Sequence, residues 1–289
     1  MTTTIASPSG TATQPVRGGR LSTGLHTFAA LLSRDVRVTR RQLGSLVLRA
    51  VMQPLAFTFG FAYVLPKIGL AGGFGGTQPG APKFTTVLVP GLVAITIAVQ
   101  GITAVMIPLL MELAYTKQME DRALAPVPLW VIAVQKIVSA AFQAMLAGLV
   151  VFPVVLLVHA DGQAPDVHVH NWPLFVVTFA LACLLAACTG LLLGTLFDVQ
   201  KVQHLFAAVI TPLTVLGCVY FPWSALEAVP WLQYVTLANP VVYMGEGLRA
   251  SLTPEVGHMP VWAFLLAEAG GVVLLGGLAL RNFTRRVLG

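Results

Sequence analysis

The feature that most constrains this chain is a series of long apolar runs that are almost free of charge. The run from Thr85 to Met111 reads TTVLVPGLVAITIAVQGITAVMIPLLM and contains no Asp, Glu, Lys or Arg. A helix needs about 20 mainly apolar residues to cross the hydrocarbon layer of a membrane. The 289-residue chain is 56% hydrophobic and only 10% charged, so little polar sequence remains to cover such runs in water. The sequence therefore predicts an integral membrane protein.

Six apolar runs are predicted to span the membrane, which makes the fold class all-α. Helices are favoured because lipid offers no hydrogen-bond partners to open backbone groups, and because the runs are much longer than the strands of a membrane barrel. The predicted spans are Leu46 to Leu65, Thr85 to Met111, Trp130 to Val158, Trp172 to Phe197, His204 to Phe221 and Val261 to Leu280. The fifth is the shortest.

Basic residues are distributed unevenly between the two sides that these spans define. Lys67, Lys83 and Arg249 fall on one side, and the other 14 of the 17 basic residues fall on the opposite side. Those 14 are Arg17, Arg20, Arg34, Arg37, Arg40, Arg41, Arg49, Lys117, Arg122, Lys136, Lys201, Arg281, Arg285 and Arg286. Because Lys and Arg are retained in the cytoplasm, both termini are predicted to be cytoplasmic. Arg outnumbers Lys 12 to 5, and Ala is abundant, which favours a bacterium with a GC-rich genome. The predicted location is therefore a bacterial plasma membrane.

The N-terminal region divides into a polar tail and an amphipathic segment. Residues 1–20 lack the apolar stretch of a signal peptide and are expected to form a disordered cytoplasmic tail. In residues 21–44, basic residues alternate with apolar residues that recur near helical spacing. The apolar residues are Leu21, Leu25, Phe28, Leu32, Val36 and Leu43. This pattern predicts an amphipathic helix that lies in the cytoplasmic interface of the membrane, ahead of the six-span domain of residues 45–289.

The connection between the second and third spans, MELAYTKQMEDRALAPVPLW, is the most charged segment after the N-terminal arm. Its charged residues are Glu112, Lys117, Glu120, Asp121 and Arg122. Two prolines then end the helix before the third span. We expect a short cytoplasmic helix at about residues 113–127 that offers a docking surface to a soluble partner. The alternative is a solvated turn, although a turn between two spans needs only a few residues.

The stretch from Phe221 to Leu252 is too interrupted by proline to cross a bilayer and too apolar for an ordinary surface loop. Asn239 followed by Pro240 is typical of a helix start, and Glu246 and Arg249 lie three residues apart on one helical face. Its Trp and Tyr residues suit the membrane–water interface. Residues 222–252 are therefore predicted to form an extracytoplasmic re-entrant helical hairpin that acts as an outer gate; a purely structural plug is the alternative. The gate residues are Pro222, Trp231, Asn239, Pro240, Glu246 and Arg249.

Two polar residues within predicted spans are candidates for lining a transport pathway. Glu268 is a lone acid in the sixth span, and acids inside membranes are often functional. Gln100 lies midway along the second span. Hydrogen bonding between helices explains either residue equally well.

Motifs for catalysis or nucleotide binding are absent from the sequence. It contains no G-x-x-x-x-G-K-[ST], no H-E-x-x-H and no G-x-S-x-G. His168 and His170 would share one face of an extended strand, as metal ligands do, but a solvated polar loop explains them as well, and no metal site is assigned. The chain is thus predicted to be neither an enzyme nor the binder of a cofactor.

The C-terminal stretch TPLTVLGCVYFPWSALEAVPWLQYVTLANPVVYMGEGLR carries short motifs in a fixed order. They are Pro212–Leu213, Phe221–Pro222, Val229–Pro230–Trp231–Leu232, Asn239–Pro240, and Glu246 with Arg249, supported by Gln53–Pro54 and Pro90–Gly91–Leu92 further upstream. In these motifs the chain resembles the type-2 membrane permeases of ATP-binding-cassette (ABC) exporters. It looks most similar to the branch of daunorubicin-resistance and nodulation lipooligosaccharide export permeases. The family often has Gly-Thr after the acidic residues of the cytoplasmic helix, where this chain reads EDRALAPVP.

The resemblance implies a half-transporter with no catalytic activity of its own. Two such chains, identical or paralogous, would enclose a pathway, and two separate ATPase subunits would bind ATP and Mg below it. The 113–127 helix and the interfacial helix would dock on those ATPases, and an amphipathic drug or lipid-like molecule would be exported. Export of a polysaccharide or glycolipid is the alternative within the class. Outside it, the alternatives are a carrier driven by an ion gradient and a membrane hydrolase that uses the His-rich loop.

Overall fold

The structure is a computed structural model, and it describes residues 33–41, 43–64, 67, 83–115, 129–159, 164–201 and 206–288. Within those ranges every regular element is helical, and no strand is present. Residues 33–41 are helical, as predicted for the end of the interfacial helix. The predicted tail, the start of that helix, and Lys117, Glu120, Asp121 and Arg122 lie outside the described residues.

Besides the helical residues 33–41, the described part of the chain contains eight α-helices, numbered in chain order. They are α1 (Leu43–Thr58), α2 (Phe84–Tyr115), α3 (Leu129–Leu157), α4 (Trp172–Leu196), α5 (Thr211–Val215), α6 (Pro230–Thr236), α7 (Pro240–Leu252) and α8 (Val261–Leu288). Short π-helical and 3-10 segments flank them, at Phe59–Val64, Val199–Lys201, Phe206–Ile210 and Trp223–Ala228.

Four of these helices, α2, α3, α4 and α8, are long and apolar enough to cross a membrane. They have 25 to 32 residues each, and at 1.5 Å per residue even 20 residues cover a hydrocarbon layer of about 30 Å. The first predicted span is a 16-residue α-helix that contains Pro54 and continues as a π-helical turn. The described part of the fifth, residues 206–221, contains a π-helical turn followed by the five-residue α5. The count of six spans is therefore not confirmed.

Helix α4 lies at the centre of the bundle, packed against α2, α3, α7 and α8. Small residues let it approach α2 closely. A Cβ added at Gly190 would lie 2.5 Å from the carbonyl oxygen of Ile102, and one added at Gly101 would lie 2.6 Å from Cβ of Ala186. Small residues at such contacts are typical of helices packed in membranes, where close van der Waals contact replaces the hydrophobic effect.

The outer faces of α3 and α8 carry large exposed apolar side chains, among them Leu157, Trp262, Leu266, Val273 and Leu274. Such faces would be unfavourable in water, but they match a lipid solvent. The ends of the bundle differ in chemistry. We call the end where α2 finishes and α3 begins the basic end, and the end that holds α6 and α7 the hairpin end.

Candidate functional site

A completely buried ion pair lies at the hairpin end, within α7. Nη1 of Arg249 donates to Oε1 of Glu246 across 2.8 Å, and neither side chain is accessible to solvent. The sequence predicts this pairing, but as a local contact on a helical face. Because an unpaired buried charge costs several kcal/mol, each of these two residues depends on the other for its burial.

The Glu246 carboxylate also accepts hydrogen bonds from two segments outside α7. Its Oε1 accepts from the main-chain N–H of Trp223 at 2.9 Å, and its Oε2 accepts from the main-chain N–H of Met259 at 2.8 Å. Hydrogen bonds to a charged group are stronger than neutral ones. The carboxylate therefore fixes the 3-10 segment before α6 and the chain entering α8 to the same point.

The Arg249 guanidinium fixes a third segment, the turn that follows α5. Its Nη2 donates to the carbonyl of Cys218 at 2.7 Å. Cys218 has a φ of 50°, a left-handed conformation that is unfavourable for a residue other than glycine. The neighbouring Val219 carbonyl lies so close to α2 that a Cβ added at Gly91 would sit 1.9 Å from its oxygen. We call Glu246, Arg249 and their main-chain partners the buried bracket.

Asn239 and Pro240 begin α7 in the way that the sequence predicts. The Asn239 side chain accepts from the N–H of Val241 as the N-cap, and Pro240 occupies the first turn. Asn239 Nδ2 also donates to the carbonyl of Leu213 in α5 at 2.9 Å, a contact that the sequence does not reveal. The start of α7 is therefore tied to the fifth apolar segment as well as to its own helix.

The remaining residues predicted for the hairpin occupy its periphery. Pro222 precedes the 3-10 segment, and Trp231 in α6 is 68% exposed. Tyr243 donates its hydroxyl to the carbonyl of Leu237 at 2.7 Å. The outer gate and the re-entrant placement of the hairpin stay predictions.

At the basic end, Glu112 and Lys136 join α2 to α3. Lys136 Nζ lies 2.9 Å from Oε2 of Glu112, and the two side chains are 11% and 20% exposed. Glu112, predicted as part of the docking helix, thus points into the helix pair. The other four residues predicted for docking lie outside the described residues.

A cavity of about 320 Å³ opens beside this ion pair, and we call it the basic-end cavity. Residues 33–41, α1, α2 and α3 line it. Its polar lining includes Arg34, Asp35, Arg49, Gln100, Glu112, Gln135, Lys136 and Gln143. Gln100, predicted as a pathway residue, lines this cavity. The sequence does not reveal that α1 and α3 supply other polar side chains of the same lining.

Glu268 is not brought together with Gln100. Its side chain is fully buried in α8, and neither carboxylate oxygen has a hydrogen-bond partner among the described residues. It does not line the basic-end cavity. An unpartnered buried carboxyl group is costly, so Glu268 lowers the stability of this conformation.

A second cavity of about 320 Å³ at the hairpin end contains His168 and His170 in its lining. His168 Nε2 lies 3.0 Å from Oδ1 of Asp166, and both side chains are exposed. The main-chain N–H of His170 donates to the carbonyl of Ser251. Within the described part of the chain, no group of three or more His, Cys, Asp or Glu side chains is placed to hold a metal ion.

Arg286 and Asp198 form a contact at the basic end that the sequence analysis misses. Arg286, near the end of α8, donates to the carbonyls of Thr195 and Phe197 at 2.7 and 2.8 Å and pairs with Asp198. A cation at the C-terminal end of a helix satisfies free carbonyls and the helix dipole. These contacts of Arg286 hold the end of α8 against the end of α4.

One comparison with known proteins gives a match over most of the chain. The search of curated proteins finds no match. The sequence model described as ABC-2 type transporter matches residues 26–253, which include α1 to α7 and the Glu246–Arg249 pair. Members of this family are non-catalytic membrane subunits that pair with ABC ATPase subunits. With most of its length matched and four helices of spanning length, the chain belongs to the ABC-2 type transporter family and is a multi-pass membrane permease.

Proposed function

We propose that this chain is one membrane half of an ATP-driven exporter. One observation carries the proposal: a chain of the ABC-2 transporter family has no G-x-x-x-x-G-K-[ST] loop of its own for nucleotide phosphates. In this proposal the energy for transport comes from separate ATPase subunits, which bind ATP and Mg. A second permease chain, identical or paralogous, completes the pathway.

The basic end faces the cytoplasm and the ATPases in this proposal. Support comes from the described basic residues at that end, which include Lys136, Lys201 and Arg286, and from the retention of Lys and Arg in the cytoplasm. Residues 113–127 and the N-terminal amphipathic helix dock on the ATPases. The Glu112–Lys136 pair joins the two helices that flank this docking segment, so a force on the segment acts on α2 and α3 together.

The hairpin end forms the extracytoplasmic gate. Support comes from the buried bracket, which fixes the turn after α5, the 3-10 segment, α7 and the entry of α8 to one another. Closure of the ATPases around ATP rocks the membrane halves, and the bracketed segments move as one unit to release the substrate outward.

The substrate is an amphipathic drug or a lipid-like molecule, as in the daunorubicin-resistance and nodulation branch that the sequence resembles. Export of a polysaccharide or glycolipid is the second candidate, because the same family motifs serve both classes. A carrier driven by an ion gradient is the less favoured alternative, since the described spans hold no paired acids and cations at mid-membrane depth for a proton relay.

The test is reconstitution of the full-length chain in vesicles with a candidate ATPase. Substrate export should require ATP, and substrate should stimulate ATP hydrolysis. The matched control is the same complex with an ATPase variant that binds but does not hydrolyse ATP, which should abolish both. Export that persists in vesicles without any ATPase would contradict the proposal and favour an ion-gradient carrier.

A further inference from the structure

The basic-end cavity contains hydrogen-bond donors that the protein itself does not use. Lys136 is paired with Glu112, and Arg34 is paired with Asp35. In contrast, Arg49 makes only a 3.3 Å hydrogen bond from Nε to the carbonyl of Ser45, one turn earlier in α1. Its two terminal nitrogens have no acceptor among the residues that the structure describes. The cavity is therefore lined by a guanidinium whose outer edge is available.

Two side-chain amides are further hydrogen-bonding groups that have no partner among the described residues. Gln100 in α2 and Gln143 in α3 both line the cavity, and neither side chain makes a hydrogen bond within the described ranges. Gln100 lies about 22 Å along α2 from the last residue of that helix, at 1.5 Å per residue. The polar lining thus continues from the charged mouth to about half the length of α2. Polar groups at that depth normally find a partner, because lipid supplies none.

The charges of the described lining residues do not cancel. Arg34, Arg49 and Lys136 supply three positive charges, and Asp35 and Glu112 supply two negative charges. Among these residues the uncompensated charge belongs to Arg49, since Arg34 pairs with Asp35 and Lys136 pairs with Glu112. A guanidinium presents a planar fork of donors that matches the oxygens of a phosphate group. An oxygen-rich anion is therefore the ligand class that this lining favours.

The volume of the cavity and the apolar side chains next to Arg49 indicate which kind of molecule carries that anionic group. A volume of about 320 Å³ is at the lower end of the range of small-molecule sites, about 300–1,000 Å³, and is far larger than a single ion needs. Beside Arg49 on α1, Leu48 and Met52 are 62% and 56% exposed. Such an apolar surface next to Arg49 in α1 suits acyl chains. A ligand that matches both features carries a phosphate group and a hydrocarbon tail.

We propose that the basic-end cavity binds the headgroup of an anionic glycerophospholipid. Arg49 holds the phosphate, Gln100 and Gln143 bind hydroxyl groups of the headgroup, and the acyl chains lie along Leu48 and Met52. The bound lipid bridges α1 to the α2–α3 pair. This site is formed by one chain and needs no ATPase, so the proposal holds or fails independently of the proposed export activity.

The test uses the purified full-length chain in detergent, with lipid binding followed by native mass spectrometry. Phosphatidylglycerol should bind saturably, and Arg49→Gln should weaken that binding about tenfold, which corresponds to ~1.4 kcal/mol. The matched control is Arg281→Gln, which removes an exposed arginine of α8 that does not line the cavity and should leave binding unchanged. Inorganic phosphate in large excess should not displace the lipid.

Each result decides the proposal. Unchanged phosphatidylglycerol binding by Arg49→Gln, or an equal loss in Arg281→Gln, would overturn it, as would full displacement by inorganic phosphate, which would indicate a free-anion site. If Arg49→Gln does not fold, Gln143→Met replaces it, because this change keeps the side-chain volume and removes the amide. Weaker binding by Gln143→Met supports the site, and parental affinity overturns it.

Discussion

Glu246 and Met259 are joined by a hydrogen bond of 2.8 Å, from the main-chain N–H of Met259 to Oε2 of the buried carboxylate. This bond links α7 to the chain just before α8. Both Met259 and α8 lie beyond the family match, which ends at residue 253. Through the Glu246–Arg249 pair, the same group is connected to the carbonyl of Cys218. The Glu246 carboxylate thus connects α7 to the chain before α8 and, through Arg249, to the turn that contains Cys218.

Glu246→Gln is expected to destabilise the protein strongly, by about 3–5 kcal/mol, because it leaves the Arg249 charge buried without a counter-charge. Thermal unfolding of the purified protein measures the effect. The matched control is Glu227→Gln, since Glu227 is exposed and should tolerate the change. The double variant Glu246→Gln with Arg249→Met should recover part of the loss. An unfolding temperature that Glu246→Gln does not lower would mean that the buried bracket contributes no stability.

Gly91→Ala is expected to disrupt the contact between α2 and the turn after α5. The added Cβ would lie 1.9 Å from the carbonyl oxygen of Val219, which is part of the backbone and cannot rotate away. Gly270→Ala is the control, because nothing lies within 4 Å of its added Cβ and alanine favours a helix more than glycine does. Thermal unfolding should show a clear loss of stability for Gly91→Ala alone. Equal behaviour of the two variants would contradict the close approach.

Glu268→Met is expected to raise thermal stability, since it removes a buried carboxyl group that has no hydrogen-bond partner in the described structure. If Glu268 lines the pathway in another conformation, the same variant should export less substrate. The two measurements are an unfolding temperature and transport in reconstituted vesicles. A lower unfolding temperature would show that the carboxyl group has a stabilising partner.

The combined change of Glu120, Asp121 and Arg122 to Ala is expected to reduce export and substrate-stimulated ATP hydrolysis together by about tenfold, a coupling loss of ~1.4 kcal/mol. The reason is the loss of the charged side chains proposed to contact the ATPase. Amounts of the variant in the membrane should match the parent. Glu255→Ala is the control, as an exposed acid at the hairpin end. Unimpaired hydrolysis and export in the triple variant would refute the docking assignment.

Sidedness can be measured with single cysteines, because the native Cys183, Cys188 and Cys218 are buried. Lys83→Cys at the hairpin end should react with a membrane-impermeant maleimide on intact cells. Lys201→Cys at the basic end should react only after the cells are permeabilised. The opposite result would reverse the orientation predicted from the basic residues.

Local sequence signals predict the local parts of the site. The cap at Asn239 and the spacing of Glu246 and Arg249 follow from helix geometry, and both contacts form. The bonds to Cys218, Trp223 and Met259 cross 31, 23 and 13 residues, so no periodic pattern reports them. The burial of the pair is consequently the part that sequence reasoning misses.

The fifth apolar run has a feature that hydropathy does not report. Its composition predicts a span, which stays a prediction; in its described residues α5 ends at Val215 and the chain turns at Cys218, with a φ of 50°. Hydropathy measures affinity for lipid but does not detect a distant guanidinium that binds the Cys218 carbonyl. The sequence predicts the long helices α2, α3, α4 and α8 well, because the length of each apolar run is enough to indicate a helix that can span the membrane.

The absence of a side chain at Gly190 has a mechanical consequence. Because a Cβ at Gly190 would lie 2.5 Å from the carbonyl oxygen of Ile102, α2 and α4 approach each other there with no side chain of residue 190 between them. We therefore expect α2 and α4 to move together as a rigid body when the bundle rearranges. The displacement during a working cycle then falls on the other helices.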